Sequence, residues 1–188
     1  AASLSPDGKT MYVYGGGDDN AFTGPFFGDL WALDLDAPAW TELHAGGGGA
    51  PDNRIWPNLL TEPDGSILMW AGHDDGSLGN RNDLWRFDTA SGDWTQLEEG
   101  DVQSNDANGF CDFPADFVTP DLEAPERRDA GAAALDGSGR LWVFGGKTDC
   151  GIINDVWSWD AGTWTERSPA SFGEICLRAY AECSTMCF

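Results

Sequence analysis

Residues 140–167, RLWVFGGKTDCGIINDVWSWDAGTWTER, run from an apolar stretch into a Gly-Gly pair, then an Asp-x-Trp unit, then a second Trp followed by Thr and a charge. The pattern occurs three times. MYVYGGGDDN (11–20), ILMWAGHDDG (67–76) and LWVFGGKTDC (141–150) share the apolar run, the small-residue pair and the polar loop. The Asp-apolar-Trp unit and second Trp follow each, in GDLWALDLDAPAWTEL from Gly28, NDLWRFDTASGDWTQL from Asn82 and NDVWSWDAGTWTER from Asn154. Self-similarity of this kind marks a repeat architecture, in which each copy buries its apolar face only against its neighbours.

RLWVFGG and DLWRFD alternate apolar and polar residues with the period of a strand, and Gly- or Asp-rich loops interrupt every run after a few residues. Helices have almost no room. Each copy supplies a strand into the small pair, a strand from Asp-x-Trp and a short strand at WTEL, WTQL or WTER. A fourth, rich in small residues, precedes them in AASLSPDGK (1–9) and AGAAALDGSGR (130–140). The prediction is an all-β chain of four-stranded antiparallel modules at about 1–44, 54–98 and 127–167, with an inserted loop at 99–126 and a partial fourth module at 172–188.

Gly15-Gly16, Gly145-Gly146 and the pairs Trp31 with Trp40, Trp85 with Trp94 and Trp157 with Trp164 make the chain resemble the kelch family of β-propellers across nearly its whole length. The resemblance implies a partial kelch-type propeller: about three four-stranded blades and a stub, a window of a longer ring of six or seven blades, since complete propellers close with roughly 4 to 8. The stub LRAYAECSTMCF (177–188) runs from Arg178 through small residues as the third module runs from Arg128. More of the same polypeptide, a second three-blade unit or another subunit would complete the ring. The Trp pairs are expected to fill the wedge between blades, each costing about 3 to 5 kcal/mol if cut to Ala. The second module carries Ala71-Gly72 in place of Gly-Gly, which predicts ordinary strand geometry at Ala71 and positive φ only at glycine.

Against 10 Lys and Arg stand 32 Asp and Glu, a formal net charge of −22. Such a field repels nucleic-acid phosphates and anionic headgroups, and no stretch approaches the ~18 apolar residues of a membrane span. Nucleic acid and direct membrane insertion are therefore not expected; a protein partner, basic in character, is. In a four-stranded module the loop after the small pair leaves on the same side as the link to the next module. Asp18, Asp19, Asp74, Asp75 and Asp149 thus recur on one acidic rim, joined by Asp112 and Asp116 (with Asp101 and Asp106) of the inserted loop. Hard oxygen ligands of this kind also suit calcium, the one cofactor the sequence suggests, whereas the competing reading is that Asp closes turns.

The leading function is a non-catalytic interaction scaffold or accessory subunit of a larger assembly, binding through this rim. The alternative is an enzyme of carbohydrate or alcohol oxidation, similar to galactose oxidase, with its active residues in further blades. Only His44 and His73 are present, with no Gly-x-Ser-x-Gly or His-Glu-x-x-His motif, and His73 is expected on an outer loop, away from any axial site. The five cysteines, 111, 150, 176, 183 and 187, lack zinc-ribbon spacing. Cys111 in the insertion and Cys150 in the third module's loop leave on the same side, which predicts a disulfide between them and an extracytoplasmic, secreted or lumenal location.

Overall fold

The computed structural model describes residues 1–17, 24–74, 79–100, 124–148 and 151–170. Every described element is a β-strand. β1 (Ala2–Leu4), β2 (Thr10–Gly17), β3 (Phe26–Asp34) and β4 (Ala39–His44) pair in order as an antiparallel meander. After the two-residue strand β5 (Arg54–Ile55), a second meander follows: β6 (Asn58–Thr61), β7 (Ile67–Asp74), β8 (Asn80–Asp88) and β9 (Asp93–Glu98). Another two-residue strand, β10 (Arg128–Asp129), leads into the third, made of β11 (Ala132–Leu135), β12 (Leu141–Thr148), β13 (Gly151–Asp160) and β14 (Thr163–Ser168). The strands form antiparallel sheets, none closed on itself: the first repeat is a four-stranded sheet, and β10 joins the other two by pairing with both β8 and β12.

The repeats meet through two apolar clusters. Tyr14 and Leu30 of the first repeat pack with Leu59, Ile67, Met69, Phe87 and Trp94 of the second. Trp70, Ala71 and Leu84 of the second then pack with Leu141, Val143 and Trp157 of the third. Polar contacts follow the same seams: Ser3 Oγ and Thr61 Oγ1 are 2.8 Å apart, and Trp159 Nε1 donates to Glu98 at 2.6 Å.

Two expectations need correction here. Ala71 is not in ordinary strand geometry: its φ is 62°, against 56° at both Gly15 and Gly145. In all three repeats the strand register shifts across this residue, between Tyr14 and Gly16, Trp70 and Gly72, and Phe144 and Gly146. The first member of the small pair is therefore a bulge residue, and a bulge of this type places that residue in the left-handed region whatever its side chain. The Ala71 methyl is buried in the second apolar cluster, which offsets a conformational cost of about 1 to 2 kcal/mol. The tryptophans, in turn, are not uniformly wedged between sheets. Trp70, Trp94 and Trp157 are buried, but Trp40 is 53% exposed, because no described repeat covers the outer face of the first.

Candidate functional site

Each meander turns twice at one end and opens at the other. At the closed end, acidic residues build the turns. Asp34 accepts the backbone N–H groups of Asp36 and Ala37 at 2.9 and 3.0 Å, and Asp88 those of Ala90 and Ser91 at 2.7 and 3.2 Å. Asp136 accepts from Ser138 Oγ, from the N–H groups of Ser138 and Arg140, and from Trp142 Nε1. These bonds, led by that from Ser138, hold its carboxyl far below the usual carboxylate range. These three acids are spent on turn geometry.

The open end is where the sequence places its acidic rim. β2 and β3 part after Gly17 opposite Phe26, β7 and β8 after His73 opposite Asn80, and β12 and β13 after Thr148 opposite Gly151. A chain of contacts brings these ends together. The Phe26 ring meets His73 edge-on at 6.2 Å, His73 Nδ1 lies 3.1 Å from Asn80 Oδ1, and Asn80 Nδ2 donates to the Lys147 carbonyl at 3.1 Å. The openings that follow the three small pairs therefore share one side, as the repeat pattern predicts. His73 lies within β7 rather than on an outer loop, because pairing with Asn80 prolongs the strand past the bulge. His44 ends β4, where Nδ1 accepts the Gly46 N–H at 2.9 Å and the ring packs edge-on against Phe87.

Of the expected rim residues, Asp74 is described. It is 3% exposed, its Oδ2 is 2.7 Å from Nε of Arg81, and Arg81 also pairs with Asp52. Burial raises its carboxyl pKa, partly opposed by Arg81. Asp74 thus belongs to the floor beneath the rim and is not displayed on it. Asp129 shares that floor: opposite Lys147 in register, it is buried with neither carboxylate oxygen hydrogen-bonded among the described residues, and burial raises its pKa, opposed by Lys147 and His73. Asp18, Asp19, Asp75, Asp149, Asp112 and Asp116 lie outside the described residues, as do Asp101, Asp106, Cys111 and Cys150 of the expected disulfide. Among the described residues no three His, Cys, Asp or Glu side chains gather as a metal site.

Behind the floor stands an arrangement that sequence reading did not anticipate. Arg54 grips Asp83 through both terminal nitrogens at 2.5 and 2.9 Å, and Trp85 Nε1 donates to the same carboxylate at 2.8 Å. Arg128, Asp155 and Trp157 repeat it at 2.5, 2.9 and 2.8 Å. Each arginine also donates to the first carbonyl of a small pair, Ala71 at 3.1 Å and Gly145 at 3.3 Å. Burial would lift the Asp83 carboxyl, but the facing Arg54 charge and its hydrogen bonds carry it below its ordinary value. The signal was present in the recurring Asp-x-Trp units and in the arginines ahead of the small strands, although nothing in the sequence joined one to the other.

The fold is that of an all-β protein built from stacked antiparallel repeats. In comparisons with known proteins the sequence matches no family model and no curated protein.

Proposed function

We propose that the chain is part of a kelch-type β-propeller, its three meanders forming successive blades, and that it acts as a non-catalytic interaction scaffold binding a basic protein through its acidic rim. The observation that carries this reading is the contact chain from Phe26 through His73 and Asn80 to Lys147, which sets the three strand ends side by side. The loops leaving those ends contain Asp18, Asp19, Asp75 and Asp149 in a chain of net charge −22. Such a concentration of one sign speeds and orients encounter with a basic partner. Asp34, Asp88 and Asp136 at the closed end are engaged in turns, which favours the aspartates of the open-end loops as the ligand-facing set.

The experiment is a binding titration with a set of Lys- and Arg-rich peptides against the native chain and a variant carrying Asn at Asp18, Asp19, Asp75 and Asp149. The reading expects affinity that falls with salt and is lost in the variant, while the melting temperature is retained. Equal binding by both proteins would overturn it. Calcium titration of the same pair separates metal from peptide: heat with calcium alone, absent from the variant, would assign the rim to the ion instead.

A further inference from the structure

Where the second and third repeats meet at the closed end, their turns leave a cavity of about 430 Å³. Glu62, Asp64 and Arg86 of the second repeat form one side, and Ser138, Trp159 and Asp160 of the third form the other. The cavity therefore lies between two described repeats, at the end of the strands opposite the rim.

Three of these residues depart from the repeat. By strand register and turn position, Glu62, Arg86 and Trp159 correspond to Ser5, Ala32 and Phe87 at the seam between the first and second repeats. The second seam thus has a Glu and an Arg where the first has a Ser and an Ala, and an indole where the first has a phenyl ring. Each of the three is held in place. Arg86 binds Glu62 side-on through Nε, at 2.6 Å, and Nη2, which leaves the N–H groups of Nη1 without a partner among the described residues. Trp159 Nε1 donates to Glu98 at 2.6 Å, which fixes the indole across the seam and leaves it half-buried in the cavity wall. Asp160 corresponds to Asp34 and Asp88, yet among the described residues its carboxylate accepts no N–H from its own turn. Its Oδ2 takes Arg140 at 3.2 Å, and its Oδ1 has no partner among the described residues.

The charges here are largely balanced, Glu62 by Arg86 and Asp160 by Arg140, so a free ion finds little net field beyond that of Asp64, which caps its turn through the Ser66 N–H. What remains is a donor pair at Arg86, an acceptor at Asp160 and a flat apolar ring. A sugar ring carries the complement: adjacent hydroxyls that donate and accept, and an apolar C–H face that stacks on an indole. The volume falls within the roughly 300 to 1,000 Å³ of small-molecule sites, where a few placed polar groups orient the ligand.

We propose that this seam binds a neutral sugar ring, which stacks on Trp159 while its hydroxyls bridge Arg86 Nη1 and the Asp160 carboxylate. The site is separate from the acidic rim and does not depend on it.

The test titrates the full chain with the methyl glycosides of galactose, glucose, mannose, fucose and N-acetylglucosamine, followed by saturation-transfer NMR and calorimetry. At least one is expected to bind with a Kd of about 1 mM or tighter. A variant combining Glu62→Ser, Arg86→Ala and Trp159→Phe carries the residues of the first seam, which this fold already accommodates. It should lose that affinity roughly tenfold or more while its circular dichroism stays native. The rim variant, with Asn at Asp18, Asp19, Asp75 and Asp149, should bind the sugar as the native chain does. Asp160→Ala, at an exposed carboxylate outside the turn bonding, gives the same comparison should the three changes together disturb the fold. No binding by any of the glycosides, equal binding by the seam variants, loss of binding in the rim variant, or a preference for arginine methyl ester over every sugar would overturn the proposal.

Discussion

At the scale of single residues, the two members of each small pair have different duties. The first is the bulge residue at φ near 60°, a conformation that Ala71 accepts in the second repeat. The second, Gly146, has φ 124° and sits where an added Cβ would lie 2.7 Å from the Asp129 carbonyl and 3.1 Å from the Gly131 backbone. Backbone cannot move aside as a side chain can. Gly145→Ala puts a left-handed L-residue with its Cβ 2.9 Å from the Ile153 carbonyl, a conformation Ala71 already adopts at the equivalent position, and is expected to cost about 2 kcal/mol. Gly146→Ala should cost more than that, on the order of 3 kcal/mol or higher, because its φ of 124° lies further from any L-residue conformation and its Cβ would press on both the Asp129 and Gly131 backbone. Urea unfolding of the two variants checks the order, and equal losses would show that the second glycine is not held by the strand beside it. The pair itself was plain in the sequence. Its division of labour was not, because a departure such as Ala71 reads as tolerance until the register shift reveals which position is the bulge.

The next scale is that of β5 and β10, two residues each, which no periodicity could have revealed. They are too short to show alternation, and what they carry is an arginine whose partner lies 29 or 27 residues further on. The four-strand meanders were legible because alternation and turn residues are local; the arginine clamps were not, because their meaning depends on where the chain returns. Arg54 and Arg128 are fully buried, so their carboxylates keep them from being uncompensated charges. Removing one, by Asp83→Ala or Asp155→Ala, should destabilise by roughly 3 to 5 kcal/mol. Asp29→Ala, at the equivalent position of the first repeat, should cost far less, since no arginine grips it among the described residues. The same distinction sorts the tryptophans. Trp94→Ala opens the cluster between the first two repeats and is expected to cost about 3 to 5 kcal/mol, whereas Trp40→Ala, half exposed, should leave stability within about 1 kcal/mol. Thermal melts separate these variants, and comparable losses at Trp40 and Trp94 would refute the assignment of an open first face.

For the whole molecule, the buried carboxylates pull the pH dependence of stability in two directions. Asp83 is held below its ordinary value, so the stability it contributes is present above the unfolded value and is lost as pH falls through the folded one. Asp74 and Asp129 are raised by burial, so the folded state takes up their protons more readily than the unfolded chain does. The stability these two withhold at neutral pH returns as pH falls through their folded values. Self-repulsion adds to the second effect, because a chain at −22 becomes less charged on the way down. The melting temperature is therefore expected to rise as pH falls from about 7 toward the ordinary carboxylate value of about 4, and to fall again below it, where the unfolded chain takes up protons that the folded Asp83 carboxylate resists. Differential scanning calorimetry across that range decides it. Asp129→Asn sharpens the test, since Asp129 is buried with neither oxygen hydrogen-bonded among the described residues. The variant should melt above the native chain at pH about 7 and converge with it at acidic pH, where the native carboxyl is already neutral. A variant that melts lower at neutral pH would mean that the Asp129 charge, facing Lys147 and His73, stabilises the floor of the rim instead of straining it.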